Sequence, residues 1–223
     1  MRSTFEKILG KFGVAITAVL LFAGTMTPFA QNGVADTVKV VQIAAAQNNS
    51  IALKSDGTVI AWGNNISTWA KPPEGLSDVV EIHAKSQLFL ARKSNGTVVA
   101  WGVNYVGELN IPAGLGKVIS MASGGMHNLV VVESPSTGGL GGVVAWGLNL
   151  DGQANVPSAA QSFVSKVAAG NYYSMALKFN GTVVDWGSNG ADATPMPAGL
   201  SNVRDIQGGY LFALALKNDG TIA

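Results

Sequence analysis

The sequence predicts an all-β protein built from repeated sheets, and three observations carry that expectation. One phrase returns along the chain: KSDGTVIAWGNN at 54–65, KSNGTVVAWGVN at 93–104, GGLGGVVAWGLN at 138–149 and KFNGTVVDWGSN at 178–189, with a fifth copy opening as KNDGTIA at 217. Its tryptophans, Trp62, Trp101, Trp146 and Trp186, stand 39, 45 and 40 residues apart, a near-fixed period that marks stacked supersecondary units. Around each tryptophan, short runs rich in Val and Ile alternate with period two, as half-buried strands do. An Asp-Gly or Asn-Gly pair between two such runs signals a hairpin.

Each unit carries the same parts in order. An apolar strand A ends in small residues, as in VVQIAAA (40–46) or KVAAG (166–170). A short step leads to strand B, SIALK (50–54) or SMALK (174–178), and the glycine pair turns the chain into strand C, the TVxxWG run. For the turn, Asp or Asn beside Gly predicts a type I′ hairpin with positive φ at both central residues. A loop carrying Pro-x-Gly-Leu then returns to the next unit and leaves room for a fourth short strand. In TVIAWG, Ile60 and Trp62 point to one face and Val59 and Ala61 to the other, so large side chains on one sheet meet small ones on its neighbour. The tryptophans therefore read as core.

Such sheets of about 40 residues set around an axis make a β-propeller. The period-two pattern and the glycines exclude a helical solenoid. The units run over about 40–78, 79–117, 118–166, 167–202 and 203–223, which gives four complete blades and a partial fifth. The insertion SPSTGGLGG (134–142) accounts for the longest spacing. Because the fifth phrase stops at KNDGTIA, the expectation is an incomplete propeller, a fragment of a longer one, with self-association a consequence if the arc is open.

The first 35 residues differ from the rest. Arg2, Lys7 and Lys11 precede the apolar run FGVAITAVLLFAGTM (12–26), and Gly33 and Ala35 stand where a signal peptidase expects small residues. Residues 1–35 thus read as a secretory signal, placing residues 36–223 outside the cytoplasm, secreted or at the cell surface. Without the signal, the chain carries 11 Lys and Arg against 12 Asp and Glu, in no basic cluster, so nucleic acid is not an expected partner and neither is a membrane after cleavage. With no cysteine, thiol chemistry and disulfides are excluded. Two histidines, His83 and His127, without partner spacing, and no phosphate-binding loop give no catalytic or metal site. No cofactor and no enzyme activity are expected.

The pattern [VI]xxIAAGxxxSxALKxDGTVxAWG, repeated over about 38–223, resembles the RCC1-repeat family. The resemblance implies an RCC1-like β-propeller. The segments GELNIP (107–112) and GQANVP (152–157) look more like the secreted bacterial branch, which includes inhibitory proteins of beta-lactamases, than like the eukaryotic chromatin-bound group. In that branch, the resemblance implies, aromatics on the A–B steps and post-Trp loops grip a protein partner.

Strand alternation puts those two sets of loops on one face and the glycine hairpins on the other. Rigidly held loops are where binding residues concentrate. The candidate partner-binding residues are Trp69, Asn104, Tyr105, Met126, His127, Asp151, Tyr172 and Tyr210, whereas Tyr173 and Phe212, just before strand B, read as inward-facing. The expected role is a non-catalytic protein-interaction module. Inhibition of a secreted hydrolase such as a beta-lactamase and service as the propeller of a larger surface protein or adhesin are the alternatives.

Overall fold

The computed structural model describes residues 38–64, 69–188, 196–197 and 199–223; the expected signal at 1–35 lies outside the described residues. The chain forms β1 (Val40–Ala46), β2 (Asn49–Lys54), β3 (Val59–Gly63), β4 (Val79–Lys85), β5 (Leu88–Lys93), β6 (Val98–Gly102) and β7 (Val118–Ser123). It continues with β8 (His127–Val132), β9 (Gly142–Gly147), β10 (Val164–Ala169), β11 (Tyr173–Lys178), β12 (Val183–Gly187), β13 (Val203–Gly208) and β14 (Ala213–Lys217). Consecutive strands pair antiparallel into four three-stranded sheets and a two-stranded fifth, on whose β14 a bridge from Leu216 to Ile222 starts a third strand. The expected room for a fourth strand holds turns instead among the described residues, where Leu76 N donates to Pro73 O and Leu200 N to Pro197 O. The fourth sheet opens at Val164, three residues before the expected boundary at 167.

The hairpins correct one expectation. In KSDGT the φ of Asp56 is not positive; Gly57 alone is left-handed, at 78°. Gly57 N donates to Lys54 O and Lys54 N to Thr58 O, which defines a three-residue loop, a type I turn closed by a left-handed glycine. The cause is a side chain: Asp56 accepts bonds from Thr58 N at 2.9 Å and Thr58 Oγ1 at 2.6 Å, holding its own backbone in the ordinary turn region. The same bond to the threonine amide recurs at Asn95, Asn180 and Asp219.

These glycines also join neighbouring sheets. The carbonyls of Gly57, Gly96, Gly141 and Gly181 each accept the amide of the first residue of the next A strand, Val79, Val118, Val164 and Val203, at 3.0–3.1 Å. At Gly96 a Cβ would lie 3.0 Å from Val118 N and 2.3 Å from Lys117 Cγ, so the close approach needs glycine as much as the φ does. The 134–142 insertion keeps this bond through Gly141, although it breaks the hairpin phrase.

Every A strand is bulged between its first and third residues, as between Val40 and Gln42 and between Val203 and Asp205. In the first and fourth sheets the third residue of the bulged strand reaches the next sheet. There Gln42 accepts from Ile82 N at 2.9 Å and donates to Ile82 O at 2.8 Å, and Lys166 pairs with Asp205.

The core lies between sheets, in layers rather than in one mass. Between sheets one and two, Ile51, Leu53, Val59 and Ala61 meet Ile82, Phe89 and Trp101. Between two and three, Leu90, Val98 and Ala100 meet Met121, Val130 and Trp146. Leu129, Val131 and Ala145 meet Val167, Ala176 and Trp186 in the next layer, and Met175 and Leu177 meet Val203 and Ile206 in the last. The large-against-small arrangement expected from TVxxWG thus recurs in the first three layers, while the last is closed by Val203 and Ile206 without a tryptophan. Trp62 is the exception, at 46% exposed: among the described residues no sheet packs against its side of β3.

Candidate functional site

The loops after Trp-Gly are built by their own side chains. In the NYVGELN loop, Asn104 Oδ1 accepts from Leu109 N at 3.1 Å and its Nδ2 donates to Asn110 Oδ1 at 3.3 Å. The buried Glu108 carboxylate accepts from Val106 N at 2.7 Å. The NLDGQAN loop repeats the design, with Asn149 in the place of Asn104 and Gln153 accepting from Asp151 N at 2.9 Å. Each loop is then docked to the next blade through one carbonyl. Glu108 O accepts from the Trp146 indole at 2.8 Å and from Asn128 Nδ2 at 2.7 Å; Gln153 O accepts from the Trp186 indole at 2.8 Å and from Ser174 Oγ at 2.7 Å. The Trp101 indole reaches Ala70 O in the first blade in the same way, at 3.3 Å. Every inter-blade tryptophan therefore both fills a layer and fixes the height of a surface loop.

The A–B steps are tied to one another around the axis. Gly125 N donates to Gly170 O at 3.2 Å and Asn171 N to Tyr210 O at 2.9 Å. From the second blade, Lys85 Nζ crosses to Ala169 O at 2.7 Å and Gly209 O at 3.1 Å, carbonyls of the fourth and fifth blades. The inner strands thus surround a common axis, and this cation spans it. Burial lowers the Lys85 pKa to about 8.

Loops and steps converge on a pocket of about 260 Å³ at the mouth of this axis. Its lining is mainly apolar and aromatic, with Leu88, Val103, Leu148, Met126, Tyr105 and Tyr172, and includes the amides Gln47, Gln87 and Asn171. Tyr172 meets Tyr210 edge-on, with ring centroids 6.3 Å apart, and its hydrogen bond raises the Tyr210 phenol above its usual pKa.

The eight residues singled out by sequence separate into three groups. Tyr105, Met126 and Tyr172 line the pocket, Tyr210 stands beside it at 59% exposed, and Asp151 is exposed on the third-blade loop. Asn104 lies on this face, but both ends of its amide are engaged within its own loop.

His127 is a correction, and Trp69 is half-buried. The Trp69 ring packs 6.1 Å from Phe89, against the first core layer. His127 is fully buried; its Nε2 lies 3.0 Å from Ser174 Oγ on the next blade. Its surroundings explain the inward turn. Gly124 N donates to His127 O at 2.7 Å, closing a tight step, and the ring covers Gly124 so closely that a Cβ there would lie 2.1 Å from it. Tyr173 over Gly170 and Phe212 over Gly209 repeat this geometry. Tyr173 is buried as expected, whereas Phe212, read as inward-facing, is 63% exposed, since among the described residues no further sheet covers it.

Two surface residues escaped sequence reasoning. Leu150, at 87% exposed, occupies in the third loop the place of Tyr105 in the second, and Val106 beside Tyr105 is also exposed. Counting from each Trp-Gly would have found Leu150; a search for aromatics passed over it.

For chemistry, the described residues contain no group of three or more His, Asp and Glu able to hold a metal, and no helix long and apolar enough to cross a membrane. His83 sits 3.1 Å from Glu81, which also accepts from Arg92 Nε at 2.7 Å. Burial pushes the Glu81 carboxyl up, but these two hydrogen bonds outweigh it and hold its pKa below the usual value. The cluster is an ion-paired brace on β4 and β5.

Sheets of this order, stacked through Trp-Gly strands, define a β-propeller of RCC1 type. The family model for the regulator of chromosome condensation (RCC1) repeat matches residues 40–67, within the first blade. Among solved structures, yeast RCC1 (Prp20) bound to Kap60 is similar at a TM-score of 0.66 and 22% identity, over 84% of this chain and 56% of the other. The CRINKLY WD40 ectodomain of the Arabidopsis thaliana receptor kinase ACR4 gives 0.66 and 21%, over 87% and 65%. Prp20p of Saccharomyces cerevisiae, in a study of its binding properties to Gsp1p and histones, gives 0.64 and 19%, over 82% and 56%. The chain spans 56–65% of the length of these three. No curated protein matches the sequence.

Proposed function

We propose that the chain is an exported, non-catalytic protein-interaction module whose binding surface is the loop face around the axial pocket. The observation that carries this reading is the apolar surface there. Tyr105, Val106, Leu150, Tyr210 and Leu211 are 72%, 42%, 87%, 59% and 41% exposed, on loops held rigid by the docking bonds described above. Apolar side chains gathered on one face of a soluble scaffold mark a contact surface, and aromatic anchors dominate such contacts. The solved relatives support the class, since Prp20 is seen with Kap60 and was studied for binding to Gsp1p and histones. Export rests on the sequence pattern of residues 1–35.

The test is site-specific photocrosslinking in extracts of the source organism. A benzophenone side chain at position 105 or 150 is expected to capture a defined protein, and one at Thr97, in an opposite hairpin, is not. Equal capture at both faces, or at neither, removes the reading. Hydrolase inhibition is one use of the same surface: saturable inhibition of a beta-lactamase panel by residues 36–223 would assign it, and no effect at micromolar protein would discard it.

A further inference from the structure

The axial pocket has a chemistry of its own, and from it we infer that the partner places one uncharged apolar side chain, aromatic or long aliphatic, into this pocket from an exposed turn. The inference rests on the loop-face reading above and names what that face recognises.

Size is the first argument. A volume of about 260 Å³ lies below the roughly 300–1,000 Å³ typical of pockets that hold drug-sized ligands or cofactors. It suits a single large side chain, and protein interfaces concentrate their energy in such anchors.

Charge is the second. Leu88, Val103, Met126 and Leu148 present carbon, and Tyr105 and Tyr172 add ring faces. The lining contains one carboxylate, Glu108, which is 3% exposed and already accepts from Val106 N. The lining offers no cation. An anionic side chain would lose its hydration there and meet only a carboxylate, and a cationic one would have only the buried Glu108 to pair with, whereas an apolar one loses nothing.

The lining amides supply the third. Gln87 Nε2 donates to Gln47 Oε1 over 3.3 Å, and neither amide makes a second side-chain hydrogen bond among the described residues. Asn171 fixes its backbone to Tyr210, and its side-chain amide covers Gly125 in the lining. The Gln47 and Gln87 amides in an otherwise largely apolar lining match the exposed backbone groups of a turn whose central side chain points inward. Because the walls are tied by backbone bonds before any partner arrives, little ordering accompanies entry.

The experiment is a methyl NMR titration of the full chain with N-acetyl amides of phenylalanine, leucine, aspartate and lysine, and with glucose. The expected result is a saturable shift of the Met126 methyl with the phenylalanine and leucine probes, and binding about ten-fold weaker or absent with the others. Val103→Trp, which fills the well, should abolish the shift at an unchanged melting temperature; Leu148→Trp serves if that variant misfolds. Equal response to charged probes, response to glucose alone, or no saturable shift overturns the inference. If the pocket-filled variant still crosslinks its partner from position 150, this inference fails and the loop-face reading stands. Loss of that crosslink together with the probe shift supports both.

Discussion

A buried histidine ties this fold to pH. Burial first, and repulsion from Lys85 second, lower the His127 pKa from 6.5 to about 4. Between those values the unfolded chain binds a proton that the folded chain refuses. Stability is therefore complete above pH 6.5 and is lost as the pH falls towards 4, at up to about 1.4 kcal/mol per unit. His127→Gln keeps a donor for Ser174 and removes the titration. Urea midpoints at pH 7 and pH 5 should diverge in the natural protein and much less in this variant; equal divergence would show that the ring is not the source. Glu108 makes a complementary case. Its place in the third loop is taken by a neutral Gln153 with the same bond to its own loop, so Glu108→Gln should change stability by under about 1 kcal/mol. A loss beyond that, measured by chemical denaturation, would mean the charge itself is required.

Between blades, the same three-residue phrase, AWG, has two energetic values. Trp146 is 7% exposed, fills the second layer and bonds to Glu108 O, so Trp146→Ala should cost about 3–5 kcal/mol. Trp62, nearly half exposed, has no such layer, and Trp62→Ala should cost under about 2 kcal/mol. Equal losses in urea unfolding would contradict the layer assignment. Nothing in AWG distinguishes the two tryptophans; only the presence of a preceding sheet does. The strands, their order and the two-sided packing were legible because period two and a fixed repeat report on backbone and face directly. The turn type was not, since the Asp56 carboxylate competes with the hairpin geometry that Asp-Gly alone prefers. His127 was misplaced although its register, three residues after Gly124, equals that of Tyr173 after Gly170. Polarity argued for the surface, and a buried hydroxyl on the next blade, Ser174, overrode it. Trp69 is half-buried against Phe89, a contact between a loop and a neighbouring blade that leaves no periodic trace.

Across the whole molecule, stability passes from blade to blade, as in repeat proteins generally. Its two outer faces show apolar groups, Ile43, Ile60 and Trp62 on one and Leu214 and Ile222 on the other, each 44–67% exposed. Reversible association at rising concentration follows, and sedimentation should show it weaken in Ile60→Asp with Trp62→Asp; a monomer at all concentrations would rule it out. Among the described residues, the Lys85 contact escapes the nearest-neighbour pattern. Lys85 links the second blade to carbonyls of the fourth and fifth, so it couples sheets that share no layer. Lys85→Met should lower hydrogen-exchange protection in β13 and β14 while leaving β5 and β6 unchanged. The pH dependence has a definite sign. With a folded pKa near 8 and an unfolded value of 10.5, the unfolded chain holds the extra proton in that window, so burial of the charge opposes folding below pH 8 and is relieved above it. The stability of the natural protein relative to Lys85→Met should therefore rise from pH 8 upward. A flat difference would mean that the two carbonyls compensate the ammonium fully, and the axial lysine would then be a strut without a penalty.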